Sequence, residues 1–197
     1  MKFCSDCGAN VELKIPDDDN RERFVCTSCN VVHYQNPNVV VGTIPVWINE
    51  AGEPHVLLCK RNIEPRLGFW TVPAGFLENG ESCAEGAARE TMEESCANAL
   101  DLNMYRVLNV PRNNQIHMFF TATLATPNYQ TTTESSQVAL VTFDKIPWTQ
   151  LAFPTVFRAL KDFVEDWSSK KFVAEMADIT YDDWGALELK LDPDLRL

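Results

Sequence analysis

No apolar run in this 197-residue chain approaches the roughly 18–20 residues that a membrane-spanning helix needs. A helical membrane span is therefore excluded. The opening Met1-Lys2-Phe3-Cys4-Ser5-Asp6 lacks the apolar core of a secretory signal, and a cytoplasmic location is expected. Basic residues are scarce too: 17 Lys and Arg stand against 28 Asp and Glu, for a net charge of −11. Binding a polynucleotide draws on basic patches that release counterions, so nucleic acid is not an expected partner. Retention on heparin or DNA at physiological salt would revive a nucleic-acid role. A small anionic ligand stays open, because a metal and a few arginines can neutralise phosphates locally. The cysteines are seven, an odd number, which in an apparently cytosolic chain points to thiols and metal rather than a disulfide framework.

Four of those cysteines form two pairs, Cys4-x-x-Cys7 and Cys26-x-x-Cys29, with eighteen residues between them. That spacing suits a structural Zn²⁺ held by four thiolates. Two local disulfides or a redox pair are the alternative. Gly8 and Asn30 follow the two pairs, and both tolerate left-handed backbone. Short strands are expected at residues 11–13 and 23–25, around the acidic turn Asp17-Asp18-Asp19-Asn20. So small a unit cannot bury enough apolar surface to fold unaided, and a metal would supply the missing stability. His33 reads as a surface histidine. Asn36-Pro37-Asn38 marks the boundary, which gives a small metal-binding unit over residues 1–37.

Residues 38–167 read as a mixed α/β domain. Strands are expected at 39–48, where Pro45 suggests an edge or a bulge, and at 55–61. Others fall at 105–110, 115–124 and 138–143. His117 reads as a solvent-facing strand histidine, and Cys59, Cys83 and Cys96 as core thiols. An amphipathic helix is expected over 153–167. Arg61 and Arg66 flank a loop with Phe69 and are candidates for gripping substrate phosphate; a solvated loop is the plain alternative. Residues 168–197 form an acidic tail containing Trp184, a short strand or docking segment.

The chain is organised around residues 75–97, G-F-L-E-N-G-E-S-C-A-E-G-A-A-R-E-T-M-E-E-S-C-A. Ser82 and Glu85 make a capping box, so a helix should start there and run to about Ala99. Glu90, Glu93 and Glu94 then share one face. Like charges one turn apart destabilise a helix, and Arg89 is the single nearby cation. Carboxylates clustered without counter-charge suit a hard divalent ion such as Mg²⁺ or Mn²⁺. A solvated acidic face is the bland reading.

The spacing of Gly75, Glu81, Arg89-Glu90 and Glu93-Glu94 resembles the signature of the Nudix hydrolases. The pattern departs at Thr91, where the family has an aliphatic residue, and at Cys96, where it has glycine. The resemblance implies an α/β/α sandwich around a mixed sheet, preceded here by the four-cysteine ribbon. It implies Mg²⁺ (or Mn²⁺) held by Glu90, Glu93, Glu94 and the Gly75 carbonyl, with Arg89 paired to Glu81. The general base would be Glu90 or Glu93. Relatives often carry a further acidic residue near 137, where this chain has Gln137, with Glu134 the remaining carboxylate. Tyr34-Gln35-Asn36-Pro37, Cys59-Lys60-Arg61-Asn62, Trp70-Thr71-Val72-Pro73-Ala74-Gly75 and Leu151-Ala152-Phe153 are similar to a zinc-ribbon subgroup that includes FAD and ADP-ribose diphosphatases. The expected function is hydrolysis of a dinucleotide's diphosphate, FAD to FMN and AMP first, with ADP-ribose or NADH as alternatives. A homodimer is the assembly that the resemblance implies. A Nudix-like sensor without turnover is the non-enzyme alternative.

Overall fold

The computed structural model describes residues 1–180, which fall into two units, Met1–Pro37 and the chain from Asn38 onward. In the first unit, β1 (Val11–Lys14), β2 (Arg23–Cys26) and β3 (Val32–His33) form a three-stranded antiparallel sheet. Gly8 and Asn30 both take positive φ, so each cysteine pair lies on a tight turn.

In the second unit an eight-stranded mixed sheet carries one long helix on each face. Its strands are β4 (Asn38–Ile48), β5 (Pro54–Arg61), β6 (Trp70–Thr71), β7 (Ala74–Phe76), β8 (Ala99–Val110), β9 (Gln115–Leu124), β10 (Ser135–Thr142) and β11 (Glu175–Asp178). The order is β10-β5-β4-β9-β8-β11, with β6 on β5 and β7 on β4. The β4–β9 and β8–β11 pairs are parallel. Strand alternation sends Val41 and Phe120 towards α1 (Cys83–Ser95), with Ala87 completing that cluster. Ile44, Val46 and Phe119 face α2 (Pro154–Ser169) and pack against its Val156, Leu160 and Phe163. Both faces of β4 and β9 are thus buried, the α/β/α layering that the sequence implied.

Pro45 is not on an edge strand. It lies within β4 between the stretch paired to β7, which ends at Gly42, and the stretch paired to β5, which begins at Val46. The missing N–H falls where one neighbour gives way to the next. The first helix is shorter than expected. It ends at Ser95, and Cys96 caps it in the left-handed region, φ 55°, with its N–H on the Met92 carbonyl at 2.8 Å. Cys96 is exposed rather than core, and Cys83 is half-buried. Thr91 is fully buried, and its hydroxyl is satisfied by Thr43 Oγ1 at 2.6 Å and the Ala87 carbonyl at 2.8 Å. β11 lies beyond residue 167, in the acidic segment for which the sequence offered a short strand or a docking tail. Trp184 and the charged close lie outside the described residues.

Arg106 on β8 fixes α2 to the sheet. It is buried, and donates to Asp162 at 2.9 Å, to Asp166 at 3.0 Å and to the Val173 carbonyl at 2.7 Å. Removing one member of such a group strands the remaining charges. Arg106→Ala should cost roughly 3 kcal/mol or more, read as a lower urea midpoint. A wild-type midpoint would show the network to be dispensable.

Candidate active site

The site begins where β4 lets another backbone pass close by. A Cβ on Gly42 would sit 2.5 Å from Ala74 Cβ and 2.7 Å from the Pro73 carbonyl. Only a glycine therefore admits β7 here. Gly75 makes a second close approach, since a Cβ there would meet all three carboxyl atoms of Glu90 at 2.3 Å. The chain then crosses a loop held by the Glu78 N–H on Glu81 Oε1 at 2.7 Å. It enters α1 through the Ser82–Glu85 capping box, both bonds of which are formed.

Arg89 holds this loop to the helix. Nε and Nη2 grip Glu81 at 3.0 and 2.8 Å, Nη1 reaches Glu90 and Glu93 at 2.9 Å each, and Nη2 also reaches the Phe76 carbonyl at 3.1 Å. Its N–H donors are all engaged, so it positions carboxylates and has none left for phosphate. The Arg89 bonds hold Glu81 down to about 2. Burial raises Glu90 despite the same arginine. Glu94 is 6% exposed, and its hydrogen bond is from the Ala74 N–H at 3.3 Å. Burial pushes its carboxyl up to about 8, and Glu90 and Glu134 add repulsion.

These groups line a cleft of about 530 Å³ that also includes Arg61, His117, Glu134, Phe153 and Thr155. Arg61 stacks on Phe153, 5.2 Å from its ring centre, and donates through Nε to the Pro65 carbonyl at 2.7 Å. Arg66 instead stacks on Phe69 at 5.7 Å and is not among the cleft-lining residues. Gln137 is exposed on β10 opposite Lys60, while Glu134, three residues earlier, reaches the cleft. His117 is half-buried there rather than facing solvent. Glu134, His117 and Thr155 arrive from three separate elements, and no local sequence pattern connects them to the acidic helix.

Among the described residues the four cysteines of the first unit bring their sulfurs within 4.8 Å of one another. The Asp6 N–H donates to Cys4 Sγ, and those of Ser28 and Cys29 to Cys26 Sγ, each at 3.4 Å. All four are free thiols. His33 is half-buried, not a plain surface residue, and places Nε2 3.3 Å from Cys4 Sγ. The sulfur set fits a structural Zn²⁺. In the cleft the glutamates offer oxygen ligands, and Glu94 is buried with no cation at ion-pair distance among the described residues, a set that fits Mg²⁺ or Mn²⁺. The glutamates are gathered more loosely than the sulfurs, Glu90 and Glu93 being held on Arg89.

Residues 38–163 match the family model of the NUDIX domain, and residues 2–35 match that of the Nudix N-terminal zinc ribbon. The chain belongs to the Nudix hydrolase family. Its divalent cation and structural Zn²⁺ follow from those two units. A crystal structure of a NUDIX hydrolase from Nitrosomonas europaea superposes with a TM-score of 0.85 and 42% identity, over 91% of this chain and 99% of that one. The NUDIX domain of Shewanella oneidensis NrtR, solved with ADP ribose, shares the fold at TM-score 0.58 and 18% identity, over 66% of this chain and 90% of its own. An NAD-capped RNA hydrolase NudC from Vibrio atlanticus (strain LGP32) is 32% identical over 95 residues, 48% of this chain and 32% of the relative. The NudC of Edwardsiella ictaluri (strain 93-146) is 31% identical over 126 residues, 63% of this chain and 44% of its own. The chain spans less than half the length of these curated relatives. Among the described residues, no helix is long and apolar enough to cross a membrane.

Burial holds His117 down to about 4, from an ordinary 6.5. Above pH 6.5 the ring is neutral in both folded and unfolded chains. As pH falls from 6.5 through about 4, the unfolded chain takes the proton first and stability is lost. Between about pH 7.5 and 4.5, wild type should therefore lose roughly 2 kcal/mol more than His117→Gln, measured from urea midpoints. Equal losses would show that His117 is not held neutral by the fold.

Proposed function

We propose that the chain hydrolyses the diphosphate bond of a dinucleotide cofactor, with FAD, cleaved to FMN and AMP, as the leading substrate. One observation carries the reaction class. Glu94 is a buried carboxylate with no ion-pair partner among the described residues, beside Glu90 and Glu134 in a cleft lined also by Arg61 and the fully engaged Arg89. Such a place favours a ligand that brings its own positive charge and a phosphate partner for the arginine. Glu90, Glu93, Glu94 and the Gly75 carbonyl would hold the divalent ion. When bound, that ion supplies a Lewis acid that neutralises charge on the diphosphate. Arg89 keeps Glu81, Glu90 and Glu93 in register from one side. Arg61 grips phosphate as a fork on the other, with Arg66 a candidate from the neighbouring loop. The proton of the attacking water passes to a carboxylate, and Glu90, Glu93 and Glu134, all of which line the cleft, are the candidates.

The case for FAD rests on the likeness of residues 34–37, 59–62, 70–75 and 151–153 to FAD and ADP-ribose diphosphatases. A second reading has its own support, because the NudC relatives are named NAD-capped RNA hydrolases. In that reading NADH, or a nicotinamide dinucleotide at an RNA end, is the substrate. The charge of −11 argues against extended contact with an RNA chain. Four of the seven cysteines gather as a metal-ligand cluster rather than as disulfides, which supports a cytoplasmic setting. The homodimer rests on family likeness, and sedimentation at the monomer mass would remove it.

Product analysis after incubation with Mg²⁺ and FAD, ADP-ribose or NADH tests the reading. FMN and AMP should appear fastest from FAD and fail to appear without divalent ion. Faster cleavage of NADH would select the second reading, and turnover of none would favour a sensor. Glu94→Gln should fold normally and lower kcat by roughly two orders of magnitude or more. Full activity in that variant would remove Glu94 from the machinery.

A further inference from the structure

The acidic helix leaves another part of the cleft lining unexplained, and that part is built from the start of α2. The backbone there is pinned by β6: the Ala152 N–H donates to the Trp70 carbonyl at 2.8 Å, and Leu151 bridges to Trp70. The N-cap is Phe153, which offers no side-chain oxygen, and Pro154 follows at the first helical position. The first helical bond outside the cap is Phe157 N–H to the Phe153 carbonyl at 3.0 Å. Ahead of it lie the N–H groups of Thr155 and Val156, at the positive end of a sixteen-residue helix dipole.

Thr155 supplies a second, independent observation. It lines the cleft and is 2% exposed, yet its Oγ1 has no hydrogen-bond partner among the described residues. A hydroxyl left so in a folded interior costs free energy, and such an orphan points to a ligand. Arg61 belongs to the same part of the lining, stacked on Phe153, with Nε committed to Pro65 and no ion pair at its Nη groups among the described residues. Helix amides, a hydroxyl and a guanidinium are all donors, in a cleft whose remaining polar lining is mostly carboxylate.

We propose that the N-terminus of α2, with Thr155 Oγ1 and Arg61, is a phosphate subsite. It holds the phosphoryl group of the mononucleotide released when the diphosphate bond breaks, and in that last respect it rests on the proposed hydrolase reading. The division of labour is electrostatic. Glu90, Glu93 and Glu94 with the cation they would hold take one phosphate, and the uncharged donors of α2 with a single arginine take the other.

AMP and adenosine, titrated calorimetrically into the full zinc-loaded chain without added Mg²⁺, provide the test, because neither has a diphosphate to cleave. AMP should bind at least about tenfold more tightly than adenosine. Thr155→Val should weaken AMP about tenfold, leave adenosine unchanged and not lower the thermal midpoint, since it removes an unpaired buried hydroxyl. Thr155→Ser should restore AMP binding. Equal binding of AMP and adenosine, no binding of either, or unchanged AMP binding by Thr155→Val would each overturn the subsite. A lowered midpoint in Thr155→Val would overturn it too, by making the hydroxyl structural. Loss of the subsite alongside dinucleotide turnover would leave the hydrolase reading standing. AMP binding without turnover of any dinucleotide would do the reverse.

Discussion

One guanidinium decides the shape of the acidic site. Arg89 spends its donors on Glu81, Glu90, Glu93 and the Phe76 carbonyl, and so joins strand end, loop and helix in a single hydrogen-bonded unit. Without it, α1 would present an array of like charges along one face, which a helix does not tolerate cheaply. With it, Glu81 is held strongly acidic and the loop between β7 and α1 has a fixed length and course. The cation is consumed in building the site.

Glu94 is the complement of that arrangement. It sits on the same helix, deeper, where desolvation dominates and Arg89 does not reach. The site therefore contains a neutralised portion, which sets geometry, and an uncompensated portion, which sets affinity for a cation. Glu134 adds charge from the loop before β10, beside Arg61, since the Asn62 N–H donates to its carbonyl at 2.8 Å, and the start of α2 completes the lining. This combination of carboxylates with the Arg61 guanidinium and the donors of α2 is what a metal-bridged diphosphate would require.

Much of this was legible in the chain because it is local. The glycine-to-glutamate spacing, the capping box and the paired cysteines are each written within a few turns, and the structure forms them as read. The α/β/α layering was visible because the family signature implied it and the strand runs agreed. What could not be read depends on pairing between distant segments. Glu134 and not Gln137 reaches the cleft because β10 carries a bulge between Ser135 and Gln137. His117 is turned inward by its place on β9 between β4 and β8. Thr155 is brought in by a bridge from Leu151 to Trp70. Pro45 looked like an edge because sequence cannot show that a strand changes partner halfway along. Helix α1 stops early where Cys96 takes the left-handed conformation and the Ala97 N–H donates to Ser95 Oγ, a local choice that periodicity does not display.

The central position of β4 also bears on how the molecule assembles. Its parallel partner β9 aligns Asn38 with Gln115, and the loop after β7 and the acidic helix α1 lie in the stretch of chain between them. The capping box and the Arg89 bonds involve near neighbours and can form early, whereas the β4–β9 ladder must first close a long loop at an entropic cost. The glutamates would thus be lined up on α1 before Arg61, His117 and Thr155 complete the lining with them. In the nascent chain the contacts that order the acidic helix are local, but the cleft exists only once β9, Glu134 and the start of α2 have been added.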